Sequence, residues 1–417
     1  MYQVSWQEEA TELEKYYCSS AQLSKFPILS FFSGAGFLDI GFLKSGFDII
    51  WRNEFNISFV KGFEYAMAHM RYFDYYGNKN VHNNTSIIGL TSSGIAQEAF
   101  HNLPKPETFG IIGGPPCPDF STGGSNRGRE GEQGKLTGIY IDIISKLQPT
   151  FFLLENVPGL LRTQKHRHFL YELLCQLHEN YFIDFTILNA LEYGVPQDRE
   201  RFFLVGFSKQ WVKKNKGGYF FHICENQNVV PLLQEKQYQS CITALETKHW
   251  FPWPTGCYQQ AKTRYSWPEQ SPFGMDIEKP SGIPDELMIG SYISSPEELS
   301  NVPNGTEAFN PKSSKFTAID EGDVSRKSFK RLHRWRYSPA AAYGNNEVHL
   351  HPTEARRLTV REAFRIQSVP DTYIFPADLP LSHKFKMIGN GVPIKLAQEV
   401  SSAFVAILKN SNNVDMI

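Results

Sequence analysis

The fold class of this chain is decided by one stretch, Phe26-Pro27-Ile28-Leu29-Ser30-Phe31-Phe32-Ser33-Gly34-Ala35-Gly36-Phe37. Its first half is almost entirely apolar, as in a buried strand, and a glycine-rich turn then leads into a helical pattern that continues to Leu43. Glycines in a turn between a strand and a helix let a ligand approach the backbone closely. The stretch therefore predicts a strand–turn–helix unit of the nucleotide-binding kind, although its glycine spacing lacks the full dinucleotide fingerprint.

Strand-like and helix-like segments alternate from this unit to about residue 210. We predict strands near 47–51, 109–112, 150–154, 181–188 and 201–207, and helices near 138–147 and 166–179. Alternation of this kind favours a parallel sheet with helices on both faces. The expected fold class is α/β, with a doubly wound, mostly parallel sheet.

The alternation stops after about residue 210, and turn residues, aromatic clusters and short apolar runs continue from there to about residue 325. No helix longer than a few turns is expected in this part, which predicts a second, smaller and irregular domain. Helical periodicity resumes at 353–367 and at 394–408. The predicted domains are 1–212 and 213–325, with 326–417 returning to the first domain.

Composition restricts the class of protein. A chain of 417 residues with 41% hydrophobic and 20% charged residues is typical of a globular enzyme of two domains, not of a disordered chain. Because it has no run of about 18 apolar residues and no signal pattern, neither membrane spanning nor secretion is expected. The six cysteines include no Cys-x-x-Cys pair, so we expect no metal site and a reducing, cytoplasmic compartment.

The net charge of −1 points to no partner, but local charge is more informative. The segment 325–339 has no acid and six basic residues, namely Arg326, Lys327, Lys330, Arg331, Arg334 and Arg336. Such a segment is either a phosphate-contacting surface or a solvated helix face.

One cysteine, Cys117, follows an apolar strand pattern and lies between Pro116 and Pro118. Because prolines fix φ, they hold the thiol rigidly at the carboxyl end of a strand. Such a cysteine is either a positioned nucleophile or an incidental buried thiol. The segment by itself leaves both interpretations open.

Carboxyl groups follow two other predicted strands. Glu54 ends the second strand, where a carboxylate can accept hydrogen bonds from ribose hydroxyls, so an adenosine-bearing cofactor fits the glycine turn. Glu155 follows four apolar residues at the sheet edge where open α/β sheets bind ligands, and it can donate a proton if its pKa is raised. A helix-capping or surface acid is the alternative for Glu155.

A third polar group precedes the last predicted strand. Alternate residues of an extended chain share a face, so Gln197, Arg199 and Arg201 are expected to point together. Two guanidinium groups there could hold a carbonyl oxygen, a phosphate or Glu155. An ordinary charged strand start is the alternative.

Six segments resemble, in order, the motifs of the cytosine-5 DNA methyltransferases. They are Phe32-Ser33-Gly34-Ala35-Gly36, Pro116-Cys117, Glu155-Asn156-Val157, Gln197-Asp198-Arg199-Glu200-Arg201, Arg357-Leu358-Thr359-Val360-Arg361-Glu362 and Gly389-Asn390-Gly391-Val392-Pro393. One such match could arise by chance, whereas six in order are highly specific, and together they cover nearly the whole chain. The resemblance implies a Rossmann-like methyltransferase that depends on S-adenosylmethionine, with a target-recognition domain in the irregular segment.

The resemblance also implies a role for each matching residue. Cys117 would attack carbon 6 of a flipped-out cytosine in double-stranded DNA, and Glu155 would protonate or hydrogen-bond ring N3. Arg201 would hold the cytosine O2, and Arg199 would brace the site. The cofactor pocket would be lined by Phe32, Gly34, Gly36, Glu54, Phe55, Pro116, Leu136 and Asn390.

The chain departs from the family in three places. Pro118 stands where many members have Gln, Phe37 stands where Gly is frequent, and the acid of the third motif, which contacts the adenine amino group, is not evident near Ser86. The glycine-rich segment 121–135 resembles the family's mobile catalytic loop, with an ordinary surface loop as the alternative.

The resemblance implies a bacterial restriction–modification enzyme in the cytoplasm, associated with the nucleoid, that acts as a monomer and separately from a cognate endonuclease. The DNA sequence that it recognises does not follow from the order of residues in 213–325. Two alternatives stay open. One is the transfer-RNA cytosine methyltransferase of this fold, whose Cys-Phe-Thr tripeptide does not occur here. The other is a catalytically silent DNA-binding module, against which intact Cys117, Glu155 and Arg201 argue.

Overall fold

A computed structural model describes residues 26–70, 81–116, 132–227, 249–310, 313–343 and 347–409. The strands are β1 Pro27–Phe31, β2 Asp48–Asn53, β3 Val81–Asn83, β4 Gly110–Gly113, β5 Phe151–Asn156, β6 Tyr181–Asn189, β7 Gln197–Asp198, β8 Glu200–Ser208 and β9 Ser338–Pro339. The α-helices are α1 Phe37–Lys44, α2 Ile57–His69, α3 Ser92–Ala99, α4 Glu132–Leu147, α5 Gly159–Arg162, α6 Gln164–His178, α7 Lys209–Asn215, α8 Gly217–Gln227, α9 Ala261–Arg264, α10 Pro296–Ser300, α11 Lys315–Ala318, α12 Val360–Ile366, α13 Leu381–Asn390 and α14 Ile394–Lys409. Short 3₁₀ helices are Ile87–Gly89, Ala190–Tyr193, Asp285–Leu287 and Ile289–Ser291.

The seven-stranded sheet has the order β3-β2-β1-β4-β5-β8-β6. Its first five strands are parallel, whereas β8 is antiparallel to both of its neighbours. The connection from β6 to β8 is too short for the crossover of a dozen or more residues that a parallel return requires. The predicted α/β class with a mostly parallel sheet is confirmed, and the antiparallel β8 starts at the edge where β5 ends.

Apolar residues fill both faces of this sheet. Along β5, Phe151 and Leu153 belong to one core cluster, and Phe152 and Leu154 belong to the other. A central strand that is buried on both faces is continuously apolar, as the sequence of β5 is. Its first polar side chain is therefore Glu155, at the end of the strand.

The C-terminal helix α14 packs on α1, at the start of the sheet. A Cβ atom at Gly41 would overlap Ala397, so the two helices approach each other more closely there than a larger residue would allow. Ser401 Oγ also donates to the carbonyl oxygen of Gly41 at 3.1 Å. This helix confirms the periodicity predicted for 394–408.

The helix predicted over 353–367 is shorter in the structure, where α12 begins at Val360. Thr359 and Glu362 form a capping box that begins the helix at this point. Arg357, just before it, is fully buried and donates to the carbonyl oxygens of Ser328 and Val348, which requires an irregular backbone there. The prediction for 353–359 was therefore wrong.

The described residues between 249 and 343 form turns and helices of five residues or fewer, with no strand of the main sheet. The stretch Leu381–Lys409 is long and apolar enough to cross a membrane, but 61% of its most apolar window is buried inside the protein. A buried core helix passes the same test of length and composition, so the stretch is weak support for membrane spanning.

Candidate active site

The candidate site lies along the carboxyl ends of the parallel strands. The residues that follow β1, β2, β4 and β5 meet at this edge, which is where open α/β sheets bind ligands. Because β8 runs the opposite way, its first residues lie at the same edge. The register pairs Asn156 with Phe202, which brings Arg201 next to the end of β5.

Glu155 and Arg201 form an ion pair at this edge. Arg201 Nε lies 2.9 Å from Glu155 Oε1, and both side chains are largely buried. Arg201 Nη1 also donates to the carbonyl oxygen of Glu200 at 2.8 Å, which fixes the guanidinium orientation. A buried carboxylate is retained only with such a partner, since its desolvation otherwise costs several kcal/mol, on the order of the effective penalty per buried ion.

Burial raises the pKa of the Glu155 carboxyl above its ordinary value of 4.5, while the charges of Arg201 and Arg199 act in the opposite direction. Desolvation is the larger effect. The carboxyl group therefore holds its proton at a higher pH than an exposed glutamate does. A group of this kind can give a proton to a ligand bound at the strand edge.

The loop after β4 packs directly against Glu155. A Cβ atom at Gly114 would lie 2.8 Å from Glu155 Oε2, so any larger residue at this position would displace the carboxylate. The neighbouring Asn156 is fully buried, and its Nδ2 donates to the carbonyl oxygen of Pro115 at 3.4 Å. Cys117 itself lies outside the described residues, two positions beyond this anchored proline.

Arg199 and Arg201 have different partners. Arg199 is fully buried, and its guanidinium donates to the carbonyl oxygens of Gly389 at 2.6 Å and Gly391 at 2.9 Å. It also donates to Ala341 O at 3.0 Å. Arg199 therefore fastens the loop between α13 and α14, whereas Arg201 faces Glu155.

The turn after β1 has an unusual backbone. Phe32, Gly34 and Gly36 have φ values of 54°, 55° and 71°, in the left-handed region. At Gly36 a Cβ atom would also overlap the Phe63 ring, so only glycine fits. Glu54 braces this turn, because its Oε2 accepts the Gly34 N–H at 3.0 Å.

The same turn fits a nucleoside-bearing ligand. Ser33 Oγ is buried and finds no hydrogen-bond partner among the described residues, so it is a free polar group beside the glycines. Glu54 Oε1 accepts the Asn56 N–H at 2.8 Å, and burial raises the pKa of its carboxyl. Phe55 is 69% exposed, which leaves its ring available for stacking.

The model of the C-5 cytosine-specific DNA methylases matches residues 26–406. The chain belongs to this family. It is 40% identical to the Type II methyltransferase M.NmeDI of Neisseria meningitidis serogroup C, over 92% of this chain and 84% of that protein. It is 30% identical to the Type II methyltransferase M.MthTI of Methanothermobacter thermautotrophicus, over 90% of this chain and 95% of that protein.

Solved structures agree on the fold of this DNA methylase. The S. pombe Dnmt2 methyltransferase matches with a TM-score of 0.55 at 12% identity, over 93% of this chain and all of that one. The Entamoeba histolytica methyltransferase EhMeth matches with a TM-score of 0.51 at 14% identity, with the same coverage of this chain. At this identity the likeness concerns the fold alone. Family membership makes the chain a DNA cytosine-5-methyltransferase.

The other predicted cofactor residues of the methylase lie in three elements. Asn390 is exposed at the end of α13, and Leu136 is half-buried near the start of α4. Pro116 is half-buried in the loop after β4. Where the family's third-motif acid was expected, Ser86 precedes the 3₁₀ helix Ile87–Gly89.

Three residues of the site were given no structural role by the sequence. Gly114 and Asn156 contact Glu155 and Pro115 as described above, although Asn156 belongs to a quoted motif and Gly114 lies two positions before Pro116. Asn189 ends β6, and its Oδ1 accepts the N–H groups of Leu191 and Arg199, both at 3.1 Å. An Asn at a strand end is a general turn signal, so nothing in the sequence distinguishes this one.

The basic segment 325–339 is only partly a surface. Arg331 is fully buried and donates to the carbonyl oxygen of Ile319 at 2.8 Å, so it cannot contact phosphate. Arg334 is paired with the buried carboxylate of Glu321. Arg326 and Lys327 are exposed, whereas Lys330 and Arg336 are half-buried. Arg326 Nε lies 3.6 Å from Asp323 Oδ2, so this cation has an acidic neighbour on the same surface.

Proposed function

We propose that this methyltransferase modifies carbon 5 of a cytosine that is flipped out of a specific double-stranded DNA sequence, through a covalent adduct with Cys117. The observation that carries the proposal is the buried Glu155–Arg201 pair, packed against the loop that leads to Cys117. A nucleophile, a proton donor and a cation at one strand edge match what the reaction requires.

The chemistry needs a nucleophile because carbon 5 of cytosine is otherwise too weak to accept a methyl group. The Cys117 thiolate adds to carbon 6, and the electron pair of the ring double bond makes carbon 5 nucleophilic. Glu155 gives its proton to ring N3 and so neutralises the charge that develops there. After methyl transfer, carbon 5 loses its proton to water, the carbon–sulfur bond breaks and the thiolate leaves. Ring N3 then returns its proton to Glu155, which restores the starting state of the enzyme.

Arg201 has two tasks in this proposal. One face of its guanidinium holds Glu155 in place at 2.9 Å. Its Nη2 group would donate to the cytosine O2, beside the ring nitrogen that Glu155 protonates. A base can enter this site only after leaving the DNA stack, since a thiol cannot reach carbon 6 within a duplex.

S-adenosylmethionine is the proposed methyl donor, and when bound it supplies the methyl group as an electrophile. The turn at Phe32, Gly34 and Gly36 would hold it close to the backbone, and Glu54 would accept its ribose hydroxyls. Phe55 would stack on the adenine. Pro116, Leu136 and Asn390 would complete the pocket. The buried free hydroxyl of Ser33 and the left-handed glycines support this assignment.

Arg199 is proposed as a positioning residue, because it contacts neither substrate directly. Its hydrogen bonds to Gly389 and Gly391, on either side of Asn390, connect the end of α13 to the start of the strand that contains Arg201. It thus keeps the cofactor pocket and the base pocket in a fixed relation.

The biological setting is proposed from the relatives. Both named relatives are Type II methyltransferases, so we infer a restriction–modification role, with a cognate endonuclease that acts separately. The enzyme would work as a monomer in the bacterial cytoplasm, on nucleoid DNA. Residues 213–325 would form the target-recognition domain between catalytic segments 1–212 and 326–417.

Product analysis tests the proposed reaction. Duplex DNA is incubated with methyl-labelled S-adenosylmethionine and digested to nucleosides. We expect label in 5-methylcytosine with the wild type and none with Cys117→Ala. Label in N4-methylcytosine, or equal 5-methylcytosine from both proteins, would contradict the proposal.

A further inference from the structure

Two tight turns lie side by side within the described residues 249–343. In each of them, 272–275 and 320–323, the N–H of the last residue donates to the carbonyl oxygen of the first at 3.1 Å. The third residue of each is a glycine with positive φ, 82° at Gly274 and 87° at Gly322. This is the pattern of type II turns, which hold a short loop in one conformation.

The buried residue Glu321 connects the two turns through its backbone and its carboxylate. Ser271 and Glu321 exchange backbone hydrogen bonds of 3.0 and 2.8 Å, which pairs the chain at the two turns. The fully buried Glu321 carboxylate accepts from Arg334 Nε at 3.0 Å and from Nη2 at 2.8 Å. Arg334 Nη2 also donates to Met275 O at 2.9 Å. These hydrogen bonds therefore hold the two turns in one arrangement without a bound ligand.

This surface exposes both apolar and cationic side chains. Met275 is 53% exposed and Val324 is 38% exposed, and they are the exposed large hydrophobic residues among the described positions of 213–325. Arg326 and Lys327, two and three positions after Val324, are exposed as well. Apolar side chains contact the thymine methyl group in the major groove, and cations contact phosphates.

We propose that the paired turns, comprising 272–275 and 320–327, form a base-reading surface for double-stranded DNA. This rests on the proposed function, in which the enzyme modifies a specific sequence. Met275 and Val324 would discriminate between bases, and Arg326 and Lys327 would contact the phosphates beside them. Asp276, fully exposed next to Met275, could accept from a cytosine amino group.

The chain connects this surface to the reacting base over a short path. Arg334 is four residues from Ser338, which pairs with Gln197, four residues before Arg201. At about 3.5 Å per residue and about 5 Å between strands, the Arg334 and Arg201 backbones are at most about 33 Å apart. That corresponds to about ten base pairs along a duplex axis. The two backbone positions are therefore no farther apart than about one helical turn of DNA.

Sequencing of methylated cytosines tests the apolar pair. Met275→Ala/Val324→Ala is compared with wild type and with Leu103→Ala, which removes an even more exposed apolar side chain before β4, at the opposite edge of the sheet. In DNA from expressing hosts, we expect the double variant to methylate cytosines outside the wild-type sequence. Its discrimination between the target and single-base-pair variants should fall by about fivefold or more, and Leu103→Ala should match the wild type.

Salt dependence tests the cationic pair. For Arg326→Ala/Lys327→Ala, the slope of log affinity for duplex DNA against log salt should decrease by about 0.9 for each phosphate that the variant no longer neutralises. Unchanged slope and unchanged methylated sequences in both double variants would overturn the proposal, provided that the wild type makes 5-methylcytosine. A wild type that makes none would instead refute the proposed function.

Discussion

At the scale of single residues, the site depends on the balance at Glu155. Burial raises the pKa of its carboxyl group, and the charge of Arg201 at 2.9 Å opposes that rise. The proposed role of Glu155 as a proton donor depends on these two opposing effects, because a donor must both hold its proton and release it.

Glu155→Gln should reduce the rate of methyl transfer by about 10²- to 10⁴-fold, since an amide can hydrogen-bond N3 but cannot protonate it. In the wild type, the rate should fall as the pH rises through the pKa of Glu155, above its ordinary value of 4.5, because the protonated form is the active one. The pH–rate profile of the variant should lack this descending limb. Both profiles are measured under single-turnover conditions, and an identical descending limb in both proteins would contradict the assignment.

Arg201→Ala should move the same limb to higher pH, because it removes the charge that lowers the pKa of Glu155. The rate should also fall, since the cytosine loses a donor. Arg162→Ala is the matched control, because Arg162 pairs with the exposed Glu200 rather than with Glu155. If both variants shift the limb equally, the effect is not specific to the Glu155 pair.

At the scale of elements, Arg199 joins a strand to a loop. Arg199→Lys keeps the charge but cannot donate to the Gly389 and Gly391 carbonyl oxygens together, so the loop with Asn390 should become less well placed. The KM for S-adenosylmethionine should rise by about tenfold, as expected when charged hydrogen bonds are removed, with a much smaller change in the KM for DNA. Steady-state kinetics with each substrate varied gives both values. An equal rise in both would indicate a general loss of structure.

The close contact between α1 and α14 gives a stability prediction. Gly41→Ala should lower the free energy of unfolding by about 1–3 kcal/mol, because its Cβ would overlap Ala397. Gly138→Ala, in α4 with open space around it, is the control and should be neutral or stabilising by up to about 1 kcal/mol. Urea denaturation measures both. Equal effects would show that the two helices are not in tight contact at Gly41.

Much of the fold could be predicted because each strand buried on both faces of a doubly wound sheet is an uninterrupted run of apolar residues. The strands at Phe151–Asn156 and Tyr181–Asn189 begin within a residue of the predicted positions. The shortened helix before Ile366 could not be predicted, since burial of Arg357 depends on contacts distant in sequence. The different partners of Arg199 and Arg201 could not be predicted for the same reason. The alternation of an extended chain predicts that the two residues share a face, but their hydrogen-bond partners belong to segments distant in sequence.

At the scale of the whole molecule, the function joins two requirements that lie in different parts of the chain. In the proposed function, the sheet edge would hold the groups for cofactor and base, and the surface comprising 272–275 and 320–327 would contact the DNA through its apolar and cationic side chains. The segment that contains Ser338 connects these two parts through its pairing with Gln197. Recognition of a sequence and chemistry on its cytosine would then depend on one continuous part of the fold.

The proposed mechanism requires a covalent bond between Cys117 and a cytosine in DNA. Duplex DNA containing 5-fluorocytosine tests it most directly, because fluorine at carbon 5 cannot leave as the proton does and the adduct therefore persists. With S-adenosylmethionine present, we predict a protein–DNA complex that survives denaturing electrophoresis for the wild type and is absent for Cys117→Ala. No stable complex with the wild type, or equal complexes with both proteins, would contradict the proposed mechanism.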